Sequence, residues 1–281
     1  MYRIIEKTLL SDVGSNVYMM KVEAPRVAKK AMPGQFIILR VMEGGERIPL
    51  TIADYDREAG WIKLIYQEAG LTTRLLSGLN EGEGIADLLG PLGQPAHLDD
   101  VERVLCVGGG VGIAPLYPQV RYLHKRGAHV DVILGARTAD LLILEKEMAE
   151  NSDHLYIATD DGSKGEKGLV TDVIKRLLDG GEAYDMAIAI GPLIMMKFVT
   201  LTTKEYDLPT MVSMNPIMVD GTGMCGGCRV SVGGETKYAC VDGPDFDGFQ
   251  IDFDEAMRRQ QMYKTEEQEA HQCRIGLGKG E

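Results

Sequence analysis

Leu105-Cys106-Val107-Gly108-Gly109-Gly110-Val111-Gly112-Ile113-Ala114-Pro115-Leu116 runs from a short apolar segment through a glycine turn into an apolar stretch of helical character. A strand–glycine–helix junction of this kind suits a phosphate. Glycine lets the backbone approach a pyrophosphate, and the N-terminus of the following helix favours negative charge. The spacing departs from G-x-G-x-x-G, because the third position after Gly110-Val111-Gly112 is Pro115. A plain tight turn would use the same residues, so the argument rests on position at the carboxyl end of an apolar strand. Gly108, Gly109, Gly110, Gly112, Ala114 and Pro115 are the candidate nucleotide contacts.

Around this junction, residues 99–212 alternate in period. Val104–Val107, Val130–Leu134, Leu155–Thr159 and Met186–Ile190 read as strands. The run up to Leu123, Leu141–Asn151 and Val170–Asp179 read as helices. Alternation at this spacing predicts a parallel, doubly wound sheet. Three further loops leave the same sheet edge: Gly135-Ala136-Arg137, Asp160-Asp161-Gly162 and Gly191-Pro192. Each reads equally well as a simple turn, but together they ring the place where such sheets bind dinucleotides.

Residues 1–98 read differently. Arg3–Leu9, Val17–Val22, Gln35–Val41 and Trp61–Tyr66 are short strand-like runs, punctuated by Pro33-Gly34, Gly44-Gly45, Glu58-Ala59-Gly60 and Gly82-Glu83-Gly84. Several short strands at such intervals predict a β-barrel. A helical stretch, Thr72–Gly78, interrupts them. In Arg47-Ile48-Pro49-Leu50-Thr51, residues 47, 49 and 51 share one face of an extended strand, pairing a fixed cation with a hydroxyl. An exposed arginine on an ordinary strand is the plainer reading. Gly70-Leu71-Thr72-Thr73 opens a helix whose first N–H groups are available to a second phosphate.

Residues 213–255 hold Asp220-Gly221-Thr222-Gly223-Met224-Cys225-Gly226-Gly227-Cys228, then Cys240. The plant-type [2Fe–2S] spacing is C-x4-C-x2-C with a distant fourth cysteine. That spacing is kept here, with Asp220 at the first ligand position. Thiolates suit iron–sulfur clusters, and the glycines let a short loop wrap an inorganic core. A carboxylate keeps the ligand charge while donating less electron density to iron. Structural zinc and a thiol redox pair are the competing readings. No histidine lies between residues 154 and 271 to complete a zinc site from nearby, and a redox pair leaves Cys240 unexplained. Residues 256–281 form a polar tail, with Phe253–Gln272 read as a helix and Gly276–Glu281 as a frayed end.

Composition bounds the possibilities. At 281 residues, two or three domains are expected; 44% hydrophobic and 26% charged residues are those of a globular protein. A net charge of −12 argues against nucleic acid or an anionic membrane as a partner. No apolar run approaches membrane-spanning length, and no signal peptide is read in residues 1–25. Five cysteines, three of them clustered, are not a secreted disulfide framework, so a cytoplasmic location is expected. Cys106 reads as core.

The ordered set R-x-P-L-T (from Arg47), G-x-T-T (from Gly70), G-G-G-x-G-x-A-P-L (from Gly108) and G-P-x-x-M-M (Gly191 to Met196) resembles the ferredoxin–NADP reductase superfamily. A [2Fe–2S] loop appended after the nucleotide domain resembles its branch of electron-transfer subunits, including those of class B dihydroorotate dehydrogenase. Within it, Asn215 to Arg229 and Ala239 to Pro244 look most like the small subunits of NADH-dependent ferredoxin–NADP oxidoreductases, also called sulfide dehydrogenase β subunits. The resemblance implies FAD on the barrel at Arg47, Pro49, Leu50, Thr51, Gln67, Gly70, Thr72 and Thr73. It implies NAD(H) over Gly108–Pro115 with Gly191, Pro192 and Met195 on the nicotinamide side. The cluster ligands would be Asp220, Cys225, Cys228 and Cys240. The partner would be a larger subunit carrying flavin and [4Fe–4S] centres, with ferredoxin reached indirectly and electron bifurcation as the family activity. An electron-transfer subunit of dihydroorotate dehydrogenase B, a sulfide dehydrogenase, and a zinc-holding nucleotide-binding regulator are the alternatives. Three departures stand out. The dihydroorotate branch has cysteine at position 220. Many superfamily members have cysteine where Ile190 stands. An aromatic residue often occupies the place of Leu50, so stacking on a flavin is not expected there.

Overall fold

The computed structural model describes residues 1–263, so the rest of the expected helix to Gln272, Cys273 and the terminal residues Gly276–Glu281 lie outside the described residues. The first part of the chain contributes β1 (Tyr2–Ser11), β2 (Val17–Glu23), α1 (Pro25–Lys30), β3 (Phe36–Arg40), β4 (Arg47–Asp56), β5 (Trp61–Gln67), α2 (Leu71–Ser77), β6 (Gly84–Ile85) and β7 (Asp87–Leu92). Its antiparallel sheet has the order β6-β1-β2-β5-β4-β3-β7. Only Ala86 separates β6 from β7, so one run of chain supplies both outer strands and the sheet curls into a nearly closed barrel. Alternating side chains fill its interior. Met20 and Val22 of β2 meet Ile37 and Leu39 of β3 and Ile62 and Leu64 of β5. Near-closure brings the two outer strands together and shortens the open edge that a flat sheet of this size would expose.

The second layer system comprises β8 (Arg103–Gly109), α3 (Ile113–Arg126), β9 (His129–Ala136), α4 (Glu145–Ala149), β10 (His154–Thr159), β11 (Glu166–Lys167), α5 (Val170–Asp179), β12 (Met186–Ile190), α6 (Leu193–Lys204) and β13 (Thr210–Ser213). All six strands are parallel, in the order β11-β10-β9-β8-β12-β13. Central β8 is covered on both faces. Val104 and Cys106 pack into the core beneath α3, while Leu105 and Val107 pack into the one beneath α5 and α6. Parallel sheets require this two-sided burial, which explains an unbroken apolar strand where the barrel strands alternate. Cys106 is fully buried, and burial pushes its thiol far above the usual range, so it behaves as a small hydrophobe.

The structure revises several boundaries. The expected helix Leu141–Asn151 is only α4, because Leu144 at its start adopts a left-handed conformation (φ 56°). Helix α6, the short strands β6, β7, β11 and β13, and the hairpin of β14 (Arg229–Val232) with β15 (Glu235–Tyr238) were not anticipated. After that hairpin, β16 (Asp245–Asp247) pairs antiparallel with β13, so the cysteine segment finishes inside the second sheet. The chain then enters α7 (Phe253–Gln260), whose N-cap Asp252 accepts from Glu255 N at 2.8 Å. Among the described residues, no helix is long and apolar enough to cross a membrane.

Barrel and sheet domain meet through α3 and β4. Ala53 and Ile65 of the barrel join the core under α3, and buried Asp54 is paired with Arg121 of α3 at 2.6 Å and with Lys63 at 3.4 Å.

Candidate redox site

The nucleotide turn sits where β8 ends, beside the end of β12. The chain turns to β9 on one side of β8 and reaches β12 on the other, which creates the crevice where open α/β sheets take ligands. A Cβ added to Gly112 would lie 2.5 Å from the Ile190 carbonyl oxygen and 2.6 Å from Gly191 Cα. These are backbone atoms that cannot step aside, so glycine is required to bring the two loops together. Met195, on the first turn of α6, lies against Gly109, and Pro192 caps that helix from an exposed position. Gly135 and Ala136 end β9, while Arg137 is exposed just beyond them; Asp160, Asp161 and Gly162 follow β10 at the same edge. Ala114 and Pro115 lie in the first turn of α3. The Asp161 carboxyl is held below its ordinary value by the Ser163 hydroxyl and N–H, which donate to it at 2.6 and 2.9 Å.

On the barrel, Arg47 is exposed at the start of β4, and Pro49, Leu50 and Thr51 are half-buried along it; Gln67 ends β5. The buried Thr72 hydroxyl donates to the Glu46 carboxylate, which ties the start of β4 to the start of α2. Residues 47 and 70 are thus brought into one region. The Thr73 hydroxyl accepts from Ala69 N and Gly70 N, both at 3.0 Å. Both threonine side chains are already engaged, so the free donors here are backbone N–H groups of the first helical turn.

The cysteine segment folds as a loop closed by positive-φ glycines at 221, 223 and 226. Cys228 Sγ and Cys240 Sγ lie 3.2 Å apart, both buried against Phe36 and Ile38 of β3. Burial, and then the neighbouring Cys228 thiol, push the Cys240 thiol up to about 12. Cys225 is exposed, and its thiol is lowered chiefly by the Gly227 N–H. The Asp220 carboxylate accepts from the Thr222 hydroxyl (2.6 Å), Met224 N (3.0 Å) and Thr222 N (3.2 Å), which keeps it ionised below its ordinary range. One thiol pair lies inside, and a carboxylate and a thiol lie toward solvent.

This donor set fits a two-iron core: three potential thiolates and one carboxylate, arranged as an inner pair and an outer pair. Among the described residues, three metal-binding donors converge within 4.8 Å of one another only at His129, Asp131 and His154. Packing seats the loop on the barrel. A Cβ on Gly221 would lie 2.8 Å from Ile38 Cγ1 and from Leu92 Cδ1, and Gln94 N donates to the Gly243 carbonyl at 2.6 Å. Phe36, which touches this core, pairs across the sheet with Thr51. The expected flavin strand and the expected cluster loop are therefore neighbours.

Not foreseen was Asp245, where barrel, sheet and cysteine segment meet. Its Oδ2 accepts from Gln119 of α3 at 3.1 Å, while its Oδ1 is out of solvent without a partner. Burial raises its carboxyl to about 6. A lone aspartate after Gly243-Pro244 carries no sequence signal of such burial.

Residues 106–200 match the family model of the oxidoreductase NAD-binding domain, and residues 215–252 match the iron–sulfur cluster binding domain of dihydroorotate dehydrogenase B. A Thermotoga maritima protein described as a dihydroorotate dehydrogenase B electron transfer subunit homolog is 47% identical over 94% of this chain and 92% of its own length. The electron transfer subunit of dihydroorotate dehydrogenase B from a Geobacillus species is 37% identical over 83% of this chain and 92% of its own. A chain in the structure of an NADH-dependent reduced ferredoxin–NADP oxidoreductase, described for flavin-based electron bifurcation, superposes with a TM-score of 0.91. It is 45% identical, over 98% of both chains. Similar over most of its length to these relatives and carrying both matched domains, the chain belongs to the oxidoreductase family of dihydroorotate dehydrogenase B-type electron-transfer subunits.

Proposed function

We propose that this chain is the NAD(H)-linked electron-transfer subunit of an electron-bifurcating NADH-dependent ferredoxin–NADP oxidoreductase. The observation that carries this reading is the contact of the cysteine core with Phe36, the cross-strand partner of Thr51. When bound, FAD converts the hydride pair of NADH into single electrons, and a [2Fe–2S] cluster carries them onward. Arg47 offers a fixed, bidentate cation to the FAD phosphates, and the first N–H groups of α2 face the same charge. Thr51 and Leu50 would lie near the flavin ring, with no aromatic side chain at Leu50 to stack on it. Gly112 lets the two crevice loops approach, Gly110 is open where an NAD pyrophosphate would lie, and Met195 packs against Gly109 and Gly191 on the expected nicotinamide side. Asp220, Cys225, Cys228 and Cys240 would together hold the cluster.

Exposed Val219, Met224 and Cys225 make the outer end of the loop the face for a larger partner subunit. That partner carries the flavin and [4Fe–4S] centres that exchange electrons with ferredoxin and NADPH. Asp220 favours this reading over a dihydroorotate-oxidising complex, since the dihydroorotate branch has cysteine there.

Anaerobic purification of the tagged chain from its own host tests it. The expected result is a co-purified flavin and [4Fe–4S] subunit, with NADPH-driven reduction of ferredoxin that requires NAD+. A partner that oxidises dihydroorotate would sink the proposal.

A further inference from the structure

At the start of β9 and β10, at the edge of the parallel sheet opposite the nucleotide loops, three metal-competent side chains converge. Asp131 is 1% exposed, and its Oδ1 lies 3.0 Å from His129 Nε2 and 2.9 Å from His154 Nδ1. All three donors lie within 4.8 Å of one another. Parallel register places His154 directly across from Asp131, and His129 precedes Asp131 by two residues on the same strand face. A tetrahedral zinc site with bonds of about 2.0–2.1 Å separates its ligand atoms by about 3.3 Å, so small side-chain rotations seat an ion here.

Hydrogen bonding alone leaves the group unfinished. His129 Nε2 is close to Asp131 Oδ1 but misaligned with it, and it is buried without a hydrogen-bond partner. A buried unpaired ring nitrogen is costly, and a metal ion would satisfy it. The surroundings have the features of a supporting shell. The Tyr184 hydroxyl donates to Asp131 Oδ2 at 2.7 Å, which orients the carboxylate. The other nitrogen of His129, Nδ1, lies 3.6 Å from Asp153 Oδ2, close to the carboxylate–histidine–metal arrangement of natural sites. Nearby Arg103 is paired with Glu182 at 2.9 Å, so Asp131 and Asp153 leave the locality anionic. His154 is exposed on its outer side, which gives an ion access and leaves a position for water.

We propose that His129, Asp131 and His154 bind one divalent transition-metal ion of the zinc class. Two imidazoles and a carboxylate select such an ion over magnesium or calcium, which take oxygen ligands. This inference is independent of the redox reading, because the site shares no residue with the nucleotide crevice or the cysteine loop. Its position spanning β9 and β10 makes it a cross-strand staple of the sheet.

The test is titration of the intact, cofactor-loaded protein with zinc chloride by calorimetry, after removal of loosely held metal on a chelating resin. Retained zinc is counted after desalting. One equivalent is expected, with affinity reduced on the order of tenfold or more in His154→Ala and His129→Ala, and by a smaller factor in Tyr184→Phe. The cluster and flavin spectra should be the same in all variants. His154 is the decisive position because its exposure lets the variant fold. Absence of binding, or binding unchanged in His154→Ala and His129→Ala, would overturn the site, the latter by placing zinc elsewhere, such as at Cys225.

Discussion

Asp220 stands at the proposed first ligand position of a loop whose spacing is otherwise ordinary. Its carboxylate gathers three donors from its own loop, so it arrives ionised and oriented. Asp220→Ala should lose the cluster or change its EPR signal, while flavin content stays constant; an unchanged signal would make Asp220 a loop former only. Asp220→Cys should retain a cluster with a lower potential, measured by redox titration, because thiolate stabilises ferric iron better than carboxylate. Asp245 makes a pH prediction. Its folded carboxyl, raised to about 6, binds its proton more tightly than in the unfolded chain, whose aspartate value is 3.8. The folded state therefore holds more protons between these values, and stability falls as pH rises through that window. Above it the deficit levels off at roughly 3 kcal/mol, the scale of the two pK units between those values. Asp245→Asn should accordingly be more stable than the parent at pH 8 and nearly equal to it at pH 4, as followed by denaturant unfolding.

At the scale of elements, the two βα turns at the crevice depend on each other. Gly112 has ordinary helical dihedrals (φ −61°), so its role is clearance rather than conformational freedom. Gly112→Ala pushes a methyl group into the Gly191 backbone and should weaken NADH binding on the order of tenfold or more in a fluorescence titration. Cluster and flavin spectra should not change. The elements themselves were largely legible in the sequence. Strand β12 and helix α5 fall where their periodicity placed them, because each is a locally consistent amphipathic or buried run. Helix α4 was misread because its apolar pattern conceals a left-handed residue at Leu144. The small strands β6, β11 and β16 carry too few residues to show a period, and exist because a neighbouring strand offers hydrogen bonds.

Across the whole molecule, the junction between barrel and sheet domain rests on a buried charge. Asp54 faces Arg121 across it, with Lys63 as a more distant second cation. Removing Arg121 leaves a buried carboxylate poorly compensated, at a cost on the order of 3 kcal/mol. Arg121→Ala should lower the thermal midpoint and slow flavin reduction by NADH in stopped-flow measurements, since both bound groups depend on that junction. The same variant with Asp54→Asn should recover much of the stability.

What the sequence determined by itself was local chemistry. The glycine turn after β8, the spacing of Asp220, Cys225, Cys228 and Cys240, and the change from alternating to continuous apolar strands are each written within a few consecutive residues. Backbone clearance, ligand spacing and side-chain period are short-range properties, so they can be read without knowing the fold. Tertiary structure alone decided which of these features meet. Thr51 reaches the cysteine core through Phe36, Gly112 touches Gly191, and His129 and Asp131 face His154, all through sheet order and strand register. Those contacts join residues far apart in the chain, and their positions follow from the packing of whole sheets rather than from any local preference.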